Sequence, residues 1–196
     1  IHCLSTGGFI VPACEFVKFA QLYIVKIAFR NWLSNMYLGR RNTMKVNTRL
    51  FGEIDVAEDR IINFTTGIMG FEEYVHYTLI FNAEKKGNIM WLQSLDEPEL
   101  AFTVMDPMKI VPEYNPVVED EWLAPLGEVE TEDDYFLLSV VTVPSDLTKM
   151  TANLKAPIVI NMKTMKACQI IVNNDDYQVR YNVYDCVKKM KEGAGC

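Results

Sequence analysis

The stretch MTANLKAPIVIN, residues 150–161, predicts a turn followed by a buried β-strand. Thr151, Asn153 and Pro157 are residue types found in turns and at strand edges, and the apolar run 158–160 begins directly after the proline, where the missing N–H costs least. The stretch contains no histidine, cysteine or carboxylate. We therefore expect it to serve architecture, with Thr151 and Asn153 fixing the local backbone through side-chain hydrogen bonds.

Similar strand patterns extend over the chain from Met44 onward, as short runs of β-branched and aromatic residues separated by glycine, proline or charges. The strand candidates are 46–56, 60–64, 75–82, 89–95, 100–107, 134–144, 156–162, 166–173 and 177–184. The helix candidates are 117–127 and 144–150, the second with Ser145 as its cap. Connections this short cannot contain crossover helices, so the pairing should be mainly antiparallel. The predicted fold is mainly β: a small antiparallel β-barrel-like or two-sheet sandwich domain with a few short helices.

The composition restricts the classes of partner. Among 196 residues, 19 Lys and Arg stand against 26 Asp and Glu, which gives a formal charge of −7. Binding of nucleic acid depends on basic residues that displace counterions from the phosphates, so we expect no direct nucleic-acid binding. The excess of acids instead favours attraction to a basic protein partner.

Residues 1–43 differ from the rest, because five Lys or Arg against one acid give this segment +4 and leave −11 for residues 44–196. A signal peptide is disfavoured, since Lys18 and Lys26 interrupt the apolar stretch, and no apolar run reaches the roughly 18 residues that a membrane span needs. An amphipathic helix that binds an interface or a partner stays open. We favour upstream or non-native sequence ahead of a domain at 44–196, since Met44 resembles a natural start.

Few groups in the chain could carry catalysis. The histidines are His2 and His76, and the five cysteines include no C-x-x-C pair. The sequence therefore indicates no metal site, no cofactor and no disulfide framework, and we expect reduced thiols. Cys168 with His76 could be imagined as nucleophile and base, but a cysteine in KACQIIV is more typical of a small buried side chain. We expect no enzyme activity.

Two short motifs have both a structural and a functional interpretation. Gly67 and Gly70 in GIMGFE are expected in a turn with positive φ, because the basic flanks of a nucleotide-clamping G-x-x-G loop are missing, and Phe71 is expected to fill the core. In WLQSL, Trp91 and Gln93 share one strand face and could line a pocket for a small molecule or carbohydrate. That pocket is the alternative function.

Six segments, taken in order, resemble the FliW family of bacterial flagellar assembly factors. They are FTTGIMGFEEY (64–74), WLQSLDEPELAFTVMDP (91–107), PEYNP (112–116), VTVP (141–144), MTANLKAPIVIN (150–161) and QIIVNNDDYQVRY (169–181). The resemblance spans nearly all of residues 44–196 and keeps order and spacing, whereas residues 1–43 have no counterpart in the family. The C-terminal VYDCVKKMKEGAGC departs from the family pattern and predicts a short helix or a frayed tail.

The resemblance implies a cytoplasmic binding protein with two mutually exclusive partners, flagellin and the translational repressor CsrA. In the family, the factor captures CsrA and relieves its repression of the flagellin message. Unpolymerised flagellin then takes the factor away and restores repression. Such a switch in flagellum biogenesis needs no bond-making chemistry and no membrane, and we expect the chain alone to be monomeric.

The residues expected to contact the partners are mainly acids on predicted connections, because CsrA needs a basic surface to bind RNA. For CsrA they are Asp96, Glu97, Glu99, Asp106 and Glu113. Tyr114 is expected to anchor flagellin, whose amphipathic assembly helices should bind an apolar groove. We expect the two partners to use overlapping but chemically distinct areas.

Overall fold

The structure, a computed structural model, describes residues 42–81 and 88–192. The interpretation of residues 1–43 therefore lies almost wholly outside the described residues, as does most of the predicted connection at 83–88. Within the described ranges, no helix combines the length and the apolar character needed to cross a membrane.

These residues form β-strands joined by short connections, with two short α-helices. The strands are β1 (Thr43–Thr48), β2 (Gly52–Ala57), β3 (Ile62–Phe64), β4 (His76–Phe81), β5 (Ile89–Ser94), β6 (Ala101–Met105), β7 (Tyr135–Thr142), β8 (Thr151–Ala152), β9 (Ile158–Asn161), β10 (Lys166–Gln169) and β11 (Tyr181–Asn182). The helices are α1 (Asp120–Leu123) and α2 (Tyr184–Glu192). Short 3₁₀ turns lie at Glu58–Arg60, Pro107–Lys109, Ala124–Leu126, Glu132–Asp134 and Leu147–Lys149. The mainly β prediction is confirmed.

Seven of the strands close into a mixed barrel. Their order is β7-β6-β5-β4-β3-β10-β9, and β9 pairs back with β7, for example at Phe136 and Ile160. Among the described strands only β3 and β10 pair in parallel, through Asn63 and Lys166. Strands β8 and β11 extend from β7, while β1 and β2 form a separate hairpin. Of the two architectures that the sequence left open, the barrel is therefore the correct one.

Two apolar clusters attach the helices to the barrel. Val187 of α2 and Val183, which lies between β11 and α2, pack with Met105 and Met150. The segment around α1 packs through Leu126 on Val159, Cys168 and Ile170 of the other side of the barrel. Burial of such side chains contributes about 1.5–3 kcal/mol each, so Val187 anchors α2 directly, whereas α1 has no buried residue of its own and is held through the neighbouring Leu126.

The stretch at 150–161 has the structural role expected of it. The Asn153 Oδ1 accepts hydrogen bonds from the backbone N–H groups of Lys155 (3.1 Å) and Ala156 (3.0 Å), so this side chain fixes the turn before β9. Strand β9 begins one residue after Pro157 and is buried throughout. Asn161 at its end is also buried, and its Nδ2 donates to the Leu126 carbonyl at 3.1 Å. Thr151 instead lies in β8 and pairs through its backbone with Thr142 of β7.

Several local predictions need correction. The candidate strand 46–56 is two paired strands, the hairpin β1–β2. Thr48 closes the turn between them by donating from Oγ1 to the Gly52 carbonyl at 2.9 Å. The cap of the 3₁₀ turn Leu147–Lys149 is Asp146, which accepts from the Thr148 N–H, and not Ser145. Within the candidate helix 117–127, only Asp120–Leu123 is α-helical and a 3₁₀ turn follows it.

Three further expectations differ from the structure. Phe71 is 36% exposed and meets Phe102 edge-on with ring centroids 5.1 Å apart, so it covers the barrel surface and does not fill the core. Strand pairing within the candidate 177–184 is limited to Tyr181 and Asn182. Cys186 on α2 is disulfide-bonded, so the expectation of reduced thiols is wrong at that position.

Candidate interaction surfaces

Cys168 and His76, the two reactive side chains that the sequence singled out, have different partners in the structure. Cys168 is buried, its Sγ lies 3.8 Å from the Trp122 carbonyl oxygen, and burial raises the pKa of its thiol to about 11. His76 is paired with Asp96. Residues 42–81 and 88–192 contain no group of three or more His, Cys, Asp or Glu side chains placed to hold a metal ion. The exposed surfaces of the described residues are therefore candidate sites.

The first of the predicted acids, Asp96, makes hydrogen bonds within the chain. Its Oδ2 accepts the backbone N–H groups of Val75 and His76, both at 2.8 Å, and its Oδ1 lies 2.8 Å from His76 Nδ1. Burial alone would raise the pKa of this carboxyl, but the hydrogen bonds from His76 and Val75 outweigh burial and leave the pKa lowered. Asp96 thus ties the loop after β5 to the start of β4.

Glu97 and Glu99 lie on the same loop, between β5 and β6. The Ser94 Oγ accepts from the backbone N–H groups of Asp96 and Glu97, and Glu97 Oε1 accepts from the N–H of Glu99 at 3.1 Å. The loop is therefore ordered by its own polar groups. The Glu99 side chain is 68% exposed and lies 3.7 Å from Arg49 Nε, which offsets part of its charge.

The remaining predicted site residues are not brought together. Asp106 accepts the Met108 N–H at 2.9 Å as the cap of a 3₁₀ turn, and burial raises the pKa of its carboxyl. Glu113 is exposed on the following connection. Tyr114 is only 5% exposed and its hydroxyl donates to the Leu154 carbonyl at 2.7 Å. Tyr114 therefore packs in a core cluster of the chain, and its role as an anchor for a partner stays a prediction.

An acidic surface with exposed apolar side chains, which the sequence did not single out, lies around α1. The segment before α1 runs beside the chain after β10, since the Asn173 N–H donates to the Val117 carbonyl at 3.2 Å. Trp122 is 62%, Val117 54% and Ile171 61% exposed. Three exposed acids accompany them: Glu119, Asp120 and Glu121. We call these six residues the α1 face.

A cleft of about 430 Å³ lies between α2 and the barrel on another part of the surface. Its floor includes Ile89 and Trp91 of β5, one lip carries Val143 and Leu147, and the other lip carries Lys188 and Lys191 of α2. We call these six residues the α2 groove. Its apolar floor and basic lip distinguish it chemically from the acidic α1 face.

The pair Trp91 and Gln93 does not form the carbohydrate pocket that the sequence suggested. Trp91 lines the α2 groove and meets Phe51 edge-on at 5.4 Å between ring centroids. Gln93 is fully buried, and its Nε2 donates to the carbonyls of Ser94, Pro98 and Leu100. The loop after β5 therefore covers the amide that a sugar would need.

Comparison with known proteins identifies the family of this chain. The family model described as "FliW protein" matches residues 45–183. This chain belongs to the FliW family. The flagellar assembly factor FliW of Lachnospira eligens is 53% identical over 148 residues, which are 74% of this chain and 98% of that protein. The flagellar assembly factor FliW of Lachnoclostridium phytofermentans is 46% identical over 144 residues, 72% of this chain and 92% of that protein.

A solved FliW structure has the same fold. The crystal structure of the flagellar assembly factor FliW is 31% identical in sequence, with a TM-score of 0.65, and the match covers 71% of this chain and 96% of that chain. The FliW family model includes every strand of the closed barrel and the α1 face, and it ends at residue 183. Helix α2, which forms one lip of the α2 groove, begins immediately after that point.

Proposed function

We propose that this protein is a cytoplasmic flagellar assembly factor that binds flagellin and, alternatively, a CsrA-type translational repressor. Capture of the repressor relieves its action on the flagellin message, and free flagellin reverses this by occupying the factor. The observation that carries the proposal is the α1 face, where Trp122 and its apolar neighbours are exposed among acids on a member of the FliW family.

The α1 face has the chemistry that a basic, RNA-binding repressor requires. Exposed aromatic side chains are frequent anchors of protein interfaces, and Trp122 is the most exposed large apolar side chain of the described residues. Glu119, Asp120 and Glu121 would attract a basic partner and accelerate its association at low salt. Three further acids that are exposed or half-exposed, Glu97, Glu99 and Glu113, can add to this negative electrostatic potential. Arg49 lies beside Glu99 and offsets part of its charge.

The second partner needs a different surface. The amphipathic assembly helices of flagellin have an apolar face, and an apolar groove is the usual receptor for such a helix. The α2 groove offers an apolar floor of this kind. Exchange of partners then requires only that one bound partner weakens the other, and a difference of about 1.4 kcal/mol changes the occupancy ratio tenfold.

The experiment is a three-component binding assay with this chain, a purified CsrA-type repressor and unpolymerised flagellin. Labelled leader RNA reports free repressor by fluorescence anisotropy. We expect the chain to release RNA from the repressor and flagellin to restore RNA binding. If the chain binds neither protein, or binds both without exchange, the proposal is wrong.

Charge-reversal variants locate the repressor surface. Reversal of Glu119, Asp120 and Glu121 to Lys should weaken repressor binding and reduce its dependence on salt, and Trp122→Ala should weaken it without changing the salt dependence. A matched control reverses the exposed acids Glu53, Asp55 and Glu58 of the β1–β2 region. The pair Glu97→Lys and Glu99→Lys tests the acids predicted from sequence. Equal loss in the control would assign the effect to net charge alone.

A further inference from the structure

The α2 groove joins an apolar floor to a basic lip on an otherwise acidic protein. Lys188 and Lys191 are exposed, lie one helical turn apart, and share the face of α2 with Val187, which packs into the barrel cluster. Neither lysine forms an ion pair within the part of the chain that the structure describes. On a chain with a formal charge of −7, this lip is therefore a local patch of positive charge.

The opposite lip of the groove is apolar and extends out of the cleft. Val143 is 46% and Leu147 50% exposed, although both line the cleft with part of their surface. On the floor, the Trp91 ring meets the Phe51 ring edge-on, so part of its surface is already packed within the chain. A partner that covered this groove would bury an ordered aromatic ring together with two aliphatic side chains that now face water.

We propose that the α2 groove binds an amphipathic helix that carries acidic side chains beside its apolar face. The apolar side chains enter between Trp91 and Leu147, and acids one turn apart on the docked helix pair with Lys188 and Lys191. Two lysines spaced along a helix match two carboxylates spaced along a second helix, because both follow the same 3.6-residue period. The inference rests on the proposed function only in expecting flagellin to supply such a helix.

The shape of the groove favours a helix over a small anionic amphiphile. A cleft of about 430 Å³ lies within the range of roughly 300–1,000 Å³ that small-molecule sites occupy, so volume alone does not decide. A ligand confined to the cleft, however, would leave the outward surfaces of Val143 and Leu147 in water. A helix lying across both lips covers these surfaces and reaches the lysines at the same time.

The test uses two fluorescein-labelled designed peptides of about 18 residues, or five helical turns. They share one apolar face and differ only in whether Glu or Lys flanks it. Fluorescence anisotropy with the full chain should give tighter binding of the Glu peptide, by at least about fivefold at low salt, because two charge pairs replace two repulsive contacts. The double variant K188E/K191E should lose this preference or reverse it.

Control variants separate the groove from general charge. K45E/K166E makes the same change in net charge at exposed positions of β1 and β10 and should retain the preference for the Glu peptide. V143S/L147S changes exposed side chains, so the fold should persist, and it should weaken both peptides equally. Equal binding of the two peptides by the wild-type chain, or an unchanged preference in K188E/K191E, would overturn the inference.

Two further arms distinguish failure of this inference from failure of the proposed function. If flagellin binds the wild-type chain and K188E/K191E equally, the groove is not its site, and the inference fails while the proposed function stands. If flagellin does not bind the wild-type chain, the proposed function fails and the peptides alone decide the groove. Saturable binding of laurate without binding of either peptide would overturn the inference in favour of a small amphiphile.

Discussion

The hydroxyl of Tyr114 and the carbonyl of Leu154 lie 2.7 Å apart, in a hydrogen bond that joins two connections forty residues apart in the chain. The Tyr114 ring packs beside Tyr177 with centroids 4.5 Å apart, and burial raises the pKa of the phenol above its usual value. The bond holds the segment before α1 against the turn before β9. Tyr114 therefore has a structural role in the segment that leads to α1.

Removal of that hydroxyl should cost stability and leave partner binding intact. In Tyr114→Phe the buried Leu154 carbonyl loses its donor, so the free energy of unfolding should fall by about 1–3 kcal/mol. Urea unfolding followed by tryptophan fluorescence measures the change. Tyr74→Phe, which removes a half-buried hydroxyl without a hydrogen bond among the described residues, should change stability by less than about 0.5 kcal/mol. A loss of flagellin binding in a fully folded Tyr114→Phe would return this residue to the interface.

The two glycines of GIMGFE should respond differently to alanine. Both have positive φ, +72° at Gly67 and +84° at Gly70. A Cβ at Gly67 would stand 2.6 Å from the Glu72 Cα, whereas a Cβ at Gly70 would meet nothing within 4 Å. Gly70→Ala should therefore cost about 1–2 kcal/mol from backbone strain alone, and Gly67→Ala should cost clearly more. Equal unfolding midpoints for the two variants would contradict this assignment.

Asp96 should contribute to the acid sensitivity of the fold. Because its pKa is lower in the folded chain than the value near 3.9 of an unfolded chain, its stabilisation is present above about pH 4 and is lost as the pH falls through the folded pKa. The difference in stability between the wild-type chain and Asp96→Asn should be present above about pH 4 and shrink toward pH 3. Urea midpoints across this range measure it, with the exposed Asp175→Asn as control. A constant difference would mean that the charge of Asp96 does not matter.

Cys168 should be unreactive in the folded protein. Its thiol is buried with a pKa of about 11, so almost no thiolate exists at pH 7.5. Iodoacetamide followed by peptide mass mapping should show slow modification of Cys168 in buffer and rapid modification in urea. Rapid labelling of the folded chain at Cys168 would require an opening of the cluster around α1 and Leu126.

The local elements of the fold were predictable because their signals are local. Pro157 followed by β-branched residues predicted β9, and the glycines at 67 and 70 predicted a turn with positive φ. The closure of the barrel was not predictable in this way. The pairings β3–β10 and β7–β9 join strands that are far apart in sequence. The residue pattern within a strand does not indicate which distant strand it will pair with.

The candidate site was predictable only in its chemistry. The excess of acids indicated a basic partner, but residue type alone did not distinguish an exposed acid from Asp96, which is held by backbone groups twenty positions away. The α1 face was missed because Ile171 comes to lie near Val117 only through the pairing of their segments. The signal that could have found it was Trp122 directly after three consecutive acids, in a helix candidate otherwise considered only for its boundaries.

The parallel contact of β3 with β10 also determines when the barrel can close during synthesis. Asn63 meets Lys166 about a hundred positions further along the chain, so a ribosome must deliver nearly the entire domain before the last seam can form. Until then the nascent polypeptide exposes unpaired strand edges that invite mispairing. Folding of the nascent chain is therefore slow and prone to mispairing, even though the completed barrel is closed.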